Sequence, residues 1–95
     1  MYAVFIEVDA DESVIEAARE FLPKEAVPMA REGGAKAGYW LAPKNGRGVT
    51  VVVFDTEDEA RAEASRFEPG KSPMLDAPGG VTVKTVEVSE VIASV

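Results

Sequence analysis

The sequence predicts an α+β fold of order β-α-β-β-α-β, a four-stranded antiparallel sheet with two helices on one face, formed as a single domain over residues 1–95. Three observations point there. Four stretches alternate side chains with period two and are rich in Val, Phe, Tyr and Trp. Two stretches between them repeat apolar residues at helical spacing behind capping patterns. An Asn45-Gly46 pair between the two middle strands supplies the positive-φ residues of a tight hairpin.

The first strand covers residues 2–8, with Val4, Ile6 and Val8 on one side and Ala3 and Phe5 on the other. Asp9 to Ser13 is an acidic turn into a helix. Ser13 and Glu16 match a capping box there, and Val14, Ile15, Ala18, Phe21 and Leu22 make a buried stripe. Pro23 and Pro28 each remove an N–H and crowd the turn before them, so helix is expected over 13–22 and again over 24–32, closed by Gly33-Gly34. The second strand, 36–42, places Tyr39 and Leu41 on one face and Trp40 and Ala42 on the other. The third, 48–54, is apolar on both faces. Thr56 and Glu59 cap a second helix that runs to about Phe67, with Ala60 and Ala64 on its buried side and a Glu57–Arg61 pair outside. Residues 68–80 hold three prolines and three glycines and form a loop, with Met74 and Leu75 as apolar anchors. The last strand, 81–92, changes phase between Val81/Val83 and Val86/Val88, which predicts a bulge near Lys84–Thr85.

Composition narrows the chemistry. The chain has neither Cys nor His and a net charge of −7. Disulfides, thiolate or histidine metal sites, axial histidine on haem and Ser–His catalysis are thereby excluded. An acidic surface repels phosphate, so neither nucleic acid nor an anionic membrane is an expected partner. No run approaches the ~20 apolar residues of a membrane span, and no basic leader precedes the first strand, so the expected location is cytoplasmic. Asp9, Asp11, Ser13 and Glu20 fall at calcium-loop spacing, but Val14 stands where the loop needs Gly, and helix capping accounts for the cluster. Lys44 and Arg47 are the basic tip of a hairpin. Base chemistry would fall to a buried carboxyl with a raised pKa, or to Tyr or Lys; Glu7 and Glu87 are the carboxylates inside strands. No cofactor and no metal is expected.

Strands apolar on both faces leave one face uncovered after the helices have packed on the other. A patch that large exceeds what a soluble monomer usually exposes, so a homodimer through the sheet faces is expected; the alternative cover is the 68–80 loop.

The pattern resembles the dimeric α/β-barrel superfamily of ferredoxin-like fold, which includes antibiotic-biosynthesis-monooxygenase-like proteins. The resemblance spans nearly the whole chain. It is carried by Gly38-Tyr39-Trp40-Leu41, by the run from Gly48 to Ala60 across the third strand into the second helix, and by Val86 to Ala93. It implies the fold and the dimer. The activities it implies range from cofactor-independent oxygenases to small proteins without a known reaction, and no catalytic residue carries over.

Two functions follow as expectations. The first is a site between sheet and helices for a hydrophobic or aromatic small molecule, possessed by a binding protein or a cofactor-independent monooxygenase-like enzyme. Its candidate lining is Tyr39, Trp40, Phe5, Phe54, Met29 and Met74, of which only one of the adjacent Tyr39 and Trp40 can face the helices. The second is a non-enzymatic structural or regulatory dimer with a filled core. A cavity of roughly 300 Å³ or more with one convergent polar group separates them.

Overall fold

A computed structural model of the chain describes residues 1–74 and 78–95. Its elements are β1 (Tyr2–Asp9), α1 (Ile15–Phe21), α2 (Val27–Glu32), β2 (Ala37–Trp40), β3 (Arg47–Phe54), α3 (Glu57–Ala64) and β4 (Thr82–Glu90). The strands form one antiparallel sheet of order β2-β3-β1-β4. This is α+β architecture compatible with a ferredoxin-like fold.

Register separates the two faces. Tyr2, Val4, Ile6 and Val8 of β1 stand opposite Phe54, Val52, Thr50 and Gly48 of β3 and point to the helices. Val4, Ile6, Val52, Phe54 and Val83 pack there with Ala30 and Ala60 as the buried core. Alanine on both helical elements lets their backbone approach the sheet closely, and the larger core side chains, Phe54 first among them, come from the strands. In β4 the register slips between Thr85 and Val83, and Lys84 is the extra residue. The expected bulge is present. It keeps both Val83 and Val86 on the core side, which an unbroken alternation would not.

The hairpin is also as expected. Asn45 and Gly46 have φ of 56° and 78°, and Lys44 and Arg47 exchange backbone hydrogen bonds of 2.9 and 3.1 Å. Thr56 and Glu59 form the reciprocal capping box, and Arg61 meets Glu57 at 2.6 Å. After α2, the chain ends its helical path at Gly34, φ 100°. Gly34 donates to the Arg31 carbonyl and Ala35 to the Ala30 carbonyl, both at 3.0 Å, which closes the orphan carbonyls.

Three local expectations are corrected. The first helical stretch is capped by Asp11, whose Oδ1 accepts from the Ser13 N–H at 3.0 Å; Ser13 makes no capping box with Glu16. A short 3₁₀ turn over Glu12–Val14 comes first, and it moves the orphan N–H groups within reach of Asp11 instead. Next, Pro23 interrupts the helix without ending it. The backbone widens over Leu22–Ala26, with the Val27 N–H donating to the Leu22 carbonyl five residues back. A wide turn makes room for the proline ring and its missing N–H, so α1 and α2 form one interrupted run. Pro28 stands in the first turn of α2, directly after the wide turn, where the ladder of helical hydrogen bonds is already interrupted. Last, β2 is shorter than expected, although the Leu41 N–H still bonds to Val49 at 2.9 Å.

Among the described residues, no helix is long and apolar enough to cross a membrane.

Candidate functional site

The interrupted run does not lie flat on the sheet. Between it and β1, β2 and β3 is a cavity of about 670 Å³. Its walls are apolar: Val14, Ile15, Ala18, Phe21 and Leu22 from the helical side, Ile6, Val8, Trp40 and Val52 from the sheet. Phe67, Pro73, Met74, Pro78 and Val81 close a further side. The described part of the Pro/Gly-rich loop thus contributes to the helix side of the sheet. Leu75, the other expected anchor, lies outside the described residues.

The structure divides the six candidate lining residues. Trp40, Met29 and Met74 stand on the cavity wall. The Trp40 indole lies back over Gly38, where an added Cβ would come within 3.1 Å of the ring; glycine is what allows the ring to rest on the sheet. Phe54 is fully buried in the core, and it does not reach the cavity wall. Phe5 and Tyr39 are on the other face, paired in register with Val51. Adjacent Tyr39 and Trp40 do point apart, with Trp40 on the helix side and Tyr39 64% exposed.

That other face carries Ala3, Phe5, Tyr39, Val49, Val51 and Val53. Glu7 is there as well, not in the cavity. Arg47 Nε donates to its Oε2 at 2.5 Å and Thr85 Oγ1 to its Oε1 at 3.4 Å. The hydrogen bond from Arg47 holds the Glu7 carboxyl below its ordinary pKa. Glu87, opposite Phe5, is exposed.

The residue that sequence reasoning missed is Glu63. It lies on α3 with only 6% of its surface exposed, and it lines the cavity. Its Oε1 is buried and has no hydrogen-bond partner among the described residues. The nearest cation, Arg66 Nε, stands 3.8 Å away, too far for a hydrogen bond. Burial pushes the Glu63 pKa up, and the Arg66 charge offsets this only in part. A signal was present: Glu63 follows buried Ala60 by three residues and precedes Phe67 by four, so helical spacing carries it to the inner face.

A carboxyl with a raised pKa binds its proton more tightly in the folded chain than in the unfolded one. Its effect is therefore smallest at low pH, and the fold loses stability as pH rises from the ordinary carboxyl range through the raised value. Glu7 acts in the opposite sense, since its contribution is lost as pH falls. Comparing the parent with Glu63→Gln isolates the first effect. The variant is expected to be more stable at neutral pH by about 1 kcal/mol or more, with the difference shrinking in acid. Urea midpoints across acid to neutral pH measure it. A difference that does not change with pH would show that Glu63 is not titrating from a buried state.

Compared with family models, with curated proteins and with solved structures, the chain matches none.

Proposed function

We propose that this chain binds a hydrophobic, planar aromatic small molecule in the cavity between the sheet and the interrupted helical run, and that it works as a homodimer of the dimeric α/β-barrel kind. One observation carries the binding reading. An apolar cavity of about 670 Å³, walled by Trp40 and adaptable Met side chains and holding one buried carboxyl, has the build of a small-molecule site. A solid dimerisation module would have filled that space.

The dimer rests on the other face. Ala3, Phe5, Tyr39, Val51 and Val53 form an apolar surface that no described element of the chain covers. The loop that offered the alternative cover contributes Pro73, Met74 and Pro78 to the cavity on the helix side. A second copy supplies a matching apolar face by symmetry. Catalysis of the cofactor-independent oxygenase kind would ask the cavity to desolvate, orient and deprotonate a substrate. Glu63, with its raised pKa, is the carboxyl on the wall available for that proton.

The test is a thermal-shift screen of planar aromatic compounds with Trp40 fluorescence as second readout, run beside sedimentation at micromolar concentration. Bound compounds should raise the melting temperature and change Trp40 emission, and the mass should be twice that of the chain. If no compound shifts either signal and Trp40→Phe alters packing alone, a non-enzymatic module replaces this reading.

A further inference from the structure

We propose that Glu63 anchors the ligand and selects an apolar amine, an aromatic body carrying one protonated nitrogen. This rests on the cavity reading above and names the chemistry of its occupant.

The argument starts from the unpaired atom. Glu63 lines the mostly apolar cavity, and its Oε1 is a buried acceptor with no hydrogen-bond partner among the described residues. Native structures rarely leave such an atom orphaned, and its natural complement is a donor brought by the occupant. A carboxylate or phosphate ligand would set like charge against Glu63 in a chain of net charge −7. A hydroxyl would supply one neutral hydrogen bond. An ammonium supplies a charge-assisted one, together with the close counter-ion that the buried carboxyl lacks.

The charged groups around Glu63 leave that role open. On its own helix, Arg66 is 3.8 Å away with its side chain 42% exposed, and Glu59 is engaged with Thr56 in the capping box. On the cavity's helical wall, Arg19 is 71% exposed and sits 3.6 Å from Glu16. The turn after α2 approaches Oε1 at Gly33, which has no side chain, while Arg31 and Glu32 before it are exposed. Trp40, on the wall of the same cavity, presents an aromatic ring to a cationic nitrogen or to the ligand's own ring. An ammonium favours the ionised form of Glu63, so its binding tightens as pH rises through the Glu63 titration.

Three probes of one shape test this: naphthylethylamine, naphthylethanol and naphthylacetate, titrated by calorimetry. The amine is expected to bind about 10-fold or more tighter than the alcohol, and the acetate most weakly. In Glu63→Gln and Glu63→Leu the amine should lose its preference of about 10-fold over the alcohol, and the alcohol, which has one neutral hydrogen bond at stake, should change far less than the amine. Equal binding of amine and alcohol to the parent, or an amine affinity indifferent to both substitutions, overturns the anchor and leaves the cavity reading standing. Binding of none of the three overturns both. If neither variant folds, the parent's preference decides alone: tighter binding of the amine than of the alcohol supports the anchor, and its absence overturns it.

Discussion

Val52→Asp should leave no folded protein at room temperature, while the same change one residue earlier, Val51→Asp, should leave a folded monomer. The two side chains are neighbours on β3 and point to opposite faces. Val52 is 1% exposed and packs in the core with Val4 and Phe54. A carboxylate there has no partner, and an unpaired buried charge costs several kcal/mol against a total stability of roughly 5–15 kcal/mol. Val51 stands opposite Phe5 and Tyr39 at the centre of the face assigned to the partner copy. An aspartate there meets water in the monomer and would lie buried against the partner copy in the proposed dimer, so it opposes association without entering the core. Circular dichroism and sedimentation read the two outcomes separately. A Val51→Asp protein that stays dimeric would mean the copies meet elsewhere, and a monomeric parent would mean the open face serves something else.

That contrast shows what the sequence could and could not settle. Alternation states that residues 51 and 52 part company, but both faces of β3 are valine, so it does not say which one meets the helices. Packing decides it, through the alanines of α2 and α3 closing on Val4, Val52 and Phe54. The same ambiguity put Phe5 and Tyr39 among the candidate lining residues beside Trp40. The hairpin, the bulge at Lys84 and the Thr56 capping box were readable because each depends on a few neighbouring residues with narrow conformational preferences.

The interrupted helix was harder to foresee. A proline marks a missing hydrogen bond, but whether the chain stops or widens by one residue depends on what holds the two ends. Ala26 and Ala30, both buried, keep the second half against the body of the protein. Glu63 escaped notice for a related reason. A glutamate in a charged helix reads as surface, and only its spacing from Ala60 and Phe67 argues otherwise. The candidate site's most informative residue is thus a local misfit, of a kind that gathers at functional sites.

Phe54→Ala should destabilise the chain by about 3–5 kcal/mol and yet leave the cavity's affinity for a ligand nearly unchanged. Phe54 has no exposed surface and sits at the end of β3 opposite Tyr2, among Val4, Ala30 and Ala60. Removing its ring opens a void in a core whose buried helical residues are alanines, which have no atoms to move into the space. Trp40, on the next strand, is the reverse case. It is only half-buried and stands on the cavity wall, so Trp40→Ala should cost less stability and more binding. Chemical denaturation measures the first quantity, and titration of the folded fraction with an aromatic probe in the cold measures the second. A Phe54→Ala protein that is folded but no longer binds would place the ligand deeper than the present cavity. One that keeps its full stability would show that the core closes over the void, against the packing described above.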